Sequence, residues 1–537
     1  MNRTLELNGP AGEFPRDSTM YWGSAWPSRV RHHGFAIGWL ACVLGTLLGS
    51  HAVLSAQLPR NAVRQLDSLL DAPPFNRLLW GVALVDETGR LLYGRNADRL
   101  FIPASNTKLV VSAVAATMLP PDWTIATSVY STAAVRDHVL EGDLVLYGRG
   151  DPTFGRRCYA TDTTVSGVCD TDPFARLRDL AQALVARGIT SVAGDIVGDG
   201  SWFQGELTRG DWNSEDLNWW YAAPVSGLGF NDNSVDITWQ PGTAVDAPAQ
   251  LHLEPDLGDI TLENRTRTVA AGGESDIGDR MYREPGTLHL WAEGTVALDH
   301  GESLESFALP DPDRFAATAF RRALTEAGIS VTGTTRSTTD SLATAAARQL
   351  PPLAETTSRP LHDWIFPILN TSQNWYAEML LKQLGRQFGT SGSWTGGLAV
   401  ERQVLVDSMG IDSTLFSLAD GSGLSAKNLV APLAFTRLLQ YVRHRPGYAT
   451  FSPGLPRSGN TGSLKRRFIG TPIEGRVWAK TGSIARVNTL SGYIELPGRT
   501  LAFSVQANHH VLGGRQMLAQ IDSIVVALAK AAGKLKK

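Results

Sequence analysis

The chain has 537 residues, a net charge of −3 and 43% hydrophobic residues, a globular composition sufficient for two or more cores. The near-neutral charge, and the lack of a basic stripe interleaved with aromatic residues, give no support for nucleic-acid binding. No H-E-x-x-H, clustered His/Cys ligand spacing or G-x-S-x-G motif occurs, so we expect no metal, no cofactor and no α/β-hydrolase site.

Residues 34–48 form an apolar run that follows a basic stretch and precedes small residues, among them Ala52 and Ala56. This order is typical of an export signal, and we predict such a segment over residues 1–56, cleaved after Ala52 or Ala56. An uncleaved anchor is the alternative, because the run is near the lower limit for spanning a bilayer. We therefore expect a periplasmic or otherwise extracytoplasmic protein, peripheral to the membrane at most unless the anchor is retained.

The motif S-x-x-K occurs at Ser105 and Lys108, between Pro103 and the apolar run 109–116, a setting that predicts the start of a buried helix. Residues three apart share a helix face, so the Lys108 amine should lie near the Ser105 hydroxyl. A serine hydroxyl is a poor nucleophile until a neighbour takes its proton. A buried lysine can do so if desolvation and a nearby cation, here Lys480, lower its pKa. A capping serine followed by a surface lysine is the alternative.

Cys158 and Cys169 lie about eleven residues apart in a Thr/Asp/Gly-rich stretch, whereas Cys42 would leave with the export signal. The mature chain would then hold an even pair of cysteines in an oxidising compartment. This predicts a disulfide that closes a small loop, with two free thiols as the alternative.

The motif S-x-N occurs at Ser372 and Asn374, where a loop enters an amphipathic helix. We expect Ser372 or Asn374 near the helix cap. In a catalytic role, Ser372 would relay a proton to the leaving group, while the Asn374 amide would hold the substrate backbone and the Lys108 amine. Capping alone is the alternative interpretation.

The motif K-T-G at Lys480, Thr481 and Gly482 lies in the first of three β-like runs joined by tight connections, which predicts an antiparallel sheet. On an edge strand the motif would line a cleft. Lys480 and Thr481 would bind a carboxylate, and Gly482 would let a substrate chain approach closely. The backbone N–H groups of Ser105 and Ser483 would form an oxyanion hole. A strand that ends at a glycine beside an exposed lysine is the alternative.

In the order S-x-x-K, S-x-N and K-T-G, the three motifs are the signature of serine acyl-transferases that handle penicillin and D-alanyl peptides. From about residue 60 to about residue 530 the chain resembles the low-molecular-mass class C penicillin-binding proteins, the D-alanyl-D-alanine carboxypeptidase/endopeptidase family (peptidase family S13). One departure is Gln373, where Asp is common in relatives. Other segments that match the family pattern are 142–152, 221–226, 230–235, 420–425 and 462–468.

The resemblance implies an α/β (α+β) fold, a penicillin-binding/β-lactamase-like sandwich whose antiparallel sheet has helices on both faces. Roughly 270 residues separate Ser105 from Ser372. This gap exceeds that of compact relatives such as class A β-lactamases by about 200 residues, enough for one or two extra domains. The predicted organisation is an export segment at 1–56, a first catalytic segment at 57–130, a β-rich insert at 131–350 and a second catalytic segment at 351–537.

The resemblance carries catalytic roles over to Ser105, Lys108, Ser372, Asn374 and Lys480. It implies a serine-type D-Ala-D-Ala carboxypeptidase, a D-alanyl endopeptidase or both, acting on peptidoglycan stem peptides and cross-links through an acyl-enzyme on Ser105. β-Lactam antibiotics would be covalent inhibitors. The alternatives are a β-lactamase or esterase on the same site and a non-catalytic cell-wall binding protein. We predict no particular oligomeric state.

Overall fold

The computed structural model describes residues 58–155 and 172–533. The predicted export segment and the predicted Cys158–Cys169 disulfide lie outside the described residues, so both stay predictions. None of the helices in this portion of the chain has the length and apolarity needed to cross a bilayer.

Helices occur in three stretches of the described chain: near its start, within the long segment between the motifs, and through the second half. They are α1 (Arg60–Asp71), α2 (Lys108–Met118), α3 (Ala175–Ala186), α4 (Pro312–Glu326), α5 (Ala345–Arg348), α6 (Leu361–Asn370), α7 (Asn374–Phe388), α8 (Trp394–Gln403), α9 (Pro432–Arg443), α10 (Tyr448–Phe451) and α11 (Gly514–Gly533).

The strands are concentrated in the middle of the chain and in the segment that contains the K-T-G motif. They are β1 (Leu79–Val85), β2 (Leu91–Arg95), β3 (Ala126–Tyr130), β4 (Val135–Arg136), β5 (Val139–Leu140), β6 (Leu144–Tyr147), β7 (Ser191–Val192), β8 (Ile196–Asp199), β9 (Ser234–Gln240), β10 (Gln250–Glu254), β11 (Thr261–Val269), β12 (Met281–Arg283), β13 (His289–Ala297), β14 (Ser303–Ala308), β15 (Ser330–Val331), β16 (Thr335–Thr338), β17 (Ala354–Thr357), β18 (Phe416–Ser417), β19 (Leu429–Val430), β20 (Val477–Ile484), β21 (Val487–Leu496) and β22 (Arg499–Asn508).

The main sheet has the order β2-β1-β22-β21-β20, and each adjacent pair is antiparallel. The three strands predicted around the K-T-G motif are confirmed, and β20 is an edge strand. Along β22 the side chains alternate as a pleated strand requires. Leu501, Phe503 and Val505 belong to the apolar core shared with α11, whereas Ser504 is buried on the opposite face.

Helices cover both faces of the main sheet. On one face, α11 places Met517, Ile521, Ile524 and Leu528 in one core with α1 and the sheet. This spacing of three to four residues gives the helix a continuous apolar stripe. On the other face lies a second core that contains α2, α6, α7, α8 and α9. The predicted sandwich is thereby confirmed.

The strands β3 to β17 do not join the main sheet. They form smaller sheets, with the orders β16-β8-β6-β3-β17, β15-β7-β5-β4, β10-β9-β14 and β11-β13-β12. A separate core of apolar residues lies among them and includes side chains from α3 and α4. The chain is therefore a sandwich interrupted by a β-rich insert, as expected from the long gap between motifs; the domain boundaries remain a prediction.

Candidate active site

Ser105 lies in a short 3₁₀ turn, Ala104–Thr107, that leads directly into α2. Lys108 is the first residue of α2 and is wholly buried, whereas Ser105 is only half-buried. The Lys108 Nζ atom lies 2.9 Å from the Ser105 Oγ atom. The S-x-x-K spacing therefore places the amine against the hydroxyl, and the alternative of a surface lysine does not hold.

The Lys108 amine has two further partners, the Asn374 Oδ1 atom at 2.7 Å and the Ser422 carbonyl oxygen at 2.6 Å. Both can only accept hydrogen bonds. A neutral amine carries two protons and one lone pair. When its two N–H groups donate hydrogen bonds to Asn374 and Ser422, its lone pair remains available to accept the proton of the Ser105 hydroxyl.

Burial lowers the pKa of Lys108 to about 7, although the nearby carboxylates Asp420 and Glu378 act in the opposite direction. Lys480 is also wholly buried, and burial followed by the charge of Lys108 holds its pKa well below the ordinary value. The sequence predicts that Lys480 lowers the pKa of Lys108. In the structure desolvation is what lowers the pKa of Lys108, whereas the repulsion between the two amines lowers the pKa of Lys480.

Lys480 contacts the first residue of the S-x-N motif. Its Nζ atom donates to the Ser372 hydroxyl at 2.8 Å and to the Thr481 carbonyl oxygen at 2.8 Å. Ser372 has a φ of 68°, in the left-handed region that few non-glycine residues adopt. Ser372 adopts this backbone conformation in the turn before α7, where its hydroxyl contacts the Lys480 amine.

Ser372 and Asn374 lie directly before and after the cap of α7, so the expectation that they lie near it is confirmed. The cap of α7 is Gln373, whose Oε1 atom accepts from the Trp375 backbone N–H at 2.7 Å. Because Gln373 satisfies the helix end, the polar groups of Ser372 and Asn374 are free to meet the two lysines. The Asn374 Nδ2 atom donates to the Tyr221 carbonyl oxygen at 2.8 Å, which fixes the orientation of the amide.

Sequence reasoning assigned no role to Gln373, yet it also joins the S-x-N turn to the insert. Its Nε2 atom donates to the Asp232 carboxylate at 2.5 Å, and both side chains are buried. The glutamine in place of the more common aspartate was the one available signal. An amide can donate to Asp232 and accept from the helix end at once, which a carboxylate cannot do.

The structure requires a glycine at position 482 because of neighbouring atoms of the protein itself, while the close approach of a substrate chain stays a prediction. A Cβ atom there would lie 2.2 Å from the Thr489 Oγ1 atom and 2.7 Å from the Pro103 carbonyl oxygen. The space beside Gly482 is thus filled by Thr489 of β21 and by Pro103, which directly precedes the 3₁₀ turn of Ser105. A hydrogen bond of 3.0 Å from the Asn106 amide to the Lys480 carbonyl oxygen holds the same two elements together. Ser483, the other predicted oxyanion donor, follows directly on β20.

Thr481 lies partly exposed beside the buried Lys480. Its Oγ1 atom donates to the Ser463 hydroxyl at 2.8 Å. A hydroxyl pair at this position can donate hydrogen bonds to a carboxylate at the cleft surface. The Lys480 amine is buried beneath this pair. Ser422, which holds the Lys108 amine through a backbone carbonyl, was missed because a backbone contact leaves no residue-type signal.

The described portion of the chain holds no cluster of three or more His, Cys, Asp or Glu side chains arranged for a metal ion. The polar side chains that the structure brings together at the motifs are Ser105, the two buried lysines, Ser372 and Asn374. A half-buried serine paired with a buried lysine, between a helical layer and the edge of an antiparallel sheet, defines a serine acyltransferase of the penicillin-binding, β-lactamase-like class.

The chain belongs to the D-Ala-D-Ala carboxypeptidase 3 (S13) family, whose sequence model matches residues 62–531. Membership of this family makes the protein a serine-type hydrolase. The family predicted from the three motifs is confirmed.

Two relatives illustrate the family. The D-alanyl-D-alanine carboxypeptidase of Actinomadura sp. (strain R39) is 32% identical over 505 residues, which cover 91% of this chain and 88% of that protein. The D-alanyl-D-alanine carboxypeptidase DacB of Haemophilus influenzae is 24% identical over 482 residues, covering 88% and 94%. Similarity therefore extends over nearly the whole of both relatives.

Solved structures give the same fold. The crystal structure of penicillin binding protein 4 (dacB) from Haemophilus influenzae matches with a TM-score of 0.72 at 22% identity, covering 88% of this chain and 99% of that one. The same protein complexed with a β-lactam matches with a TM-score of 0.67 at 21% identity, covering 88% and 100%. The insert is thus part of the shared architecture.

Proposed function

We propose that the protein hydrolyses the bond after the penultimate D-Ala of peptidoglycan stem peptides. On a free peptide end it would act as a carboxypeptidase, and on a cross-link as a D-alanyl endopeptidase. The observation that carries the proposal is the buried Lys108 amine, 2.9 Å from the Ser105 hydroxyl and held by two other acceptors. Relatives named D-alanyl-D-alanine carboxypeptidases support the substrate class.

In the acylation step, neutral Lys108 takes the proton of Ser105 while Ser105 Oγ attacks the carbonyl carbon of the penultimate D-Ala. The oxyanion that forms is stabilised by the backbone N–H groups of Ser105 and Ser483. Asn374 holds the substrate backbone with the Lys108 amine. The terminal carboxylate binds at Thr481, near the positive charge of Lys480.

Collapse of the tetrahedral intermediate breaks the C–N bond, and the leaving amine needs a proton. Ser372 delivers it, and the Lys480 ammonium, 2.8 Å from the Ser372 hydroxyl, replaces it. Acylation then moves one proton from Ser105 to Lys108 and one from Lys480 to the leaving group. Water next adds its hydroxyl to the acyl carbon and breaks the ester to Ser105. Lys108 returns its proton to the Ser105 oxygen, the proton lost by the water restores Lys480, and the shortened peptide leaves.

A fluorescent penicillin tests the nucleophile directly. Incubated with the purified protein and with Ser105→Ala, it should label only the native protein, and the label should persist for hours. Label that forms and disappears quickly would favour the alternative of a β-lactamase on the same site. Covalent label on Ser105→Ala, or no label on the native protein, would contradict the proposal. Release of D-Ala from a D-Ala-D-Ala peptide completes the test of substrate.

The proposed substrate also bears on location. Peptidoglycan lies outside the cytoplasmic membrane, so the protein has to be exported, and residues 1–56 are the proposed signal. Mass spectrometry of the mature N-terminus would test this. A first residue after Ala52 or Ala56 is expected, and an intact N-terminus would favour the retained anchor.

A further inference from the structure

The segment 420–425, which carries the Ser422 carbonyl, is held by a wholly buried carboxylate. The Oδ1 atom of Asp420 accepts from the Gly423 backbone N–H and the Asn428 amide, each at 2.7 Å. The Oδ2 atom accepts from the Ser425 backbone N–H at 2.7 Å and the Trp212 indole at 3.0 Å. Four donors surround the carboxylate and fix the segment around it.

A second buried carboxylate, Glu378, holds the same segment from the side of α7. Its Oε1 atom accepts from the Ser422 backbone N–H at 2.7 Å. Its Oε2 atom accepts from the Gly421 backbone N–H at 3.1 Å and from the Trp394 indole at 2.7 Å. Glu378 therefore fixes the two peptide units that lead into the Ser422 carbonyl.

Glu378 shares one face of α7 with a residue of the site. Asn374, Glu378 and Lys382 are spaced by four residues, so their side chains lie above one another. Asn374 contacts Lys108, and Glu378 contacts the segment that contacts Lys108. Lys382, at the far end, donates to the carbonyl oxygens of Glu206 and Val225 at 3.0 Å each.

Other charged groups face this stripe. Lys382 lies 3.9 Å from the centre of the Trp394 ring, whose indole N–H contacts Glu378. Arg209, paired with Asp211 at 2.7 Å, is influenced by the charges of both Glu378 and Asp420. Glu401, on α8, is wholly buried, and desolvation together with those two carboxylates raises its pKa well above the ordinary value. Lys480 faces Lys108 from β20.

We propose that Glu378 is a positioning residue for acylation of Ser105. Its carboxylate fixes the segment 420–425 so that the Ser422 carbonyl and the Asn374 amide together hold the Lys108 amine with its lone pair directed at the Ser105 hydroxyl. The inference rests on the proposed role of Lys108 as the base. It adds a residue that never touches the substrate but determines where the base lies.

Two effects should follow when Glu378 loses its charge. The Ser422 carbonyl is held less firmly, so the base is misplaced and the plateau of the acylation rate falls; misplacements of about 1 Å cost on the order of 100-fold. Burial, followed by the charge of Asp420, raises the pKa of Glu378 to about 7, so Glu378 and Lys108 titrate in the same range. Independently of position, the charged form of Glu378 raises the pKa of Lys108, so its removal lowers that pKa. Because acylation needs neutral Lys108, the acid limb, where the rate rises with pH, should move to lower pH.

The experiment measures the acylation rate constant with a fluorescent penicillin across pH for the native protein, Glu378→Gln and Glu401→Gln. Glu401→Gln is the matched control, because this wholly buried acid on α8 has no hydrogen-bond partner within the described residues and so does not hold the segment 420–425 by a hydrogen bond. For Glu378→Gln we expect a plateau lower by about 10- to 100-fold and an acid limb at lower pH. Glu401→Gln should keep both values.

A folded Glu378→Gln protein with a native plateau and acid limb would overturn the inference. A lower plateau of the acylation rate constant with an acid limb at the native pH would also overturn the inference, because loss of structure alone gives that result. If Glu378→Gln does not fold, Trp394→Phe removes one donor to Glu378 and keeps an aromatic ring; it should show the same two changes to a smaller extent, and native behaviour would overturn the inference. Failure of the proposed function is distinct, because then the native protein and Glu401→Gln would not acylate either.

Discussion

The two faces of the main sheet are both buried, but they bury different chemistry. On the face toward α11, side chains such as Phe503 and Val505 form one apolar core with Ile524 and Leu528. On the other face, the side chain of Lys480 lies on the same side of the sheet as that of Ser504. Lys108, the first residue of α2, is wholly buried against this face.

The difference shows how the fold divides its tasks. Apolar burial contributes about 25 cal/mol per Å², so the face toward α11 stabilises the sandwich. Burying a charge costs several kcal/mol unless it is paired and hydrogen-bonded. The two buried lysines therefore lower the free energy of unfolding that the apolar residues of the site face contribute. The same desolvation brings the pKa of Lys108 to about 7 and makes the amine a base. Substitutions on the two faces should therefore separate activity from stability.

The largest expected effect is that of Lys108→Met on acylation. Loss of a general base typically costs about 100- to 10,000-fold, so labelling by fluorescent penicillin should fall by that factor. The thermal midpoint should change little, because a buried amine disappears together with its hydrogen bonds. Lys530→Met, an exposed lysine on α11, is the control and should label normally. Near-native labelling of Lys108→Met would remove Lys108 as the base.

Leu528→Ala should have the converse effect. Leu528 is fully buried in the core between α11 and the sheet, and truncating such a leucine costs about 2–5 kcal/mol of unfolding free energy. Denaturant unfolding would measure the loss. Acylation per folded molecule should stay native, because no atom of the site is touched. A parallel fall in acylation would show that the two faces are coupled.

The pH dependence of acylation should report the site face. Below its pKa of about 7 Lys108 is an ammonium and cannot accept the Ser105 proton, whereas above it the amine is neutral. The acylation rate constant should therefore rise by about tenfold between pH 6 and pH 8. Breakdown of the probe without protein is the control at each pH. A rate that is flat across this range would place the base elsewhere.

The smallest expected effect lies on the outside of the α11 face. Arg95 of β2 forms an ion pair of 2.7 Å with Asp71 of α1, and its side chain is 37% exposed. Exposed pairs contribute about 0–1 kcal/mol, so Arg95→Gln should lower the unfolding free energy by no more than that. Acylation should not change. A loss of several kcal/mol would show that polar contacts on this face matter as much as buried ones do at the site.

Local sequence was enough for several elements. The setting of Ser105 and Lys108 predicted a buried helix start, and the runs around Lys480 predicted antiparallel strands with the motif on the sheet edge; both are confirmed. These features follow from spacing, apolar periodicity and turn residues, which act over a few positions. The position of the α7 cap was predicted, but Gln373 was not singled out, because three polar residues in a row can each cap and tertiary contacts choose among them.

By itself, the sequence determined the family and the sandwich with its insert, and it placed Lys108 beside Ser105, the proposed nucleophile. Only the tertiary structure decided what surrounds that lysine. The Ser422 carbonyl reaches Lys108 across 314 positions and the Asn374 amide across 266. Desolvation, which sets the pKa of Lys108, depends on every element packed around it, and no local pattern encodes that sum.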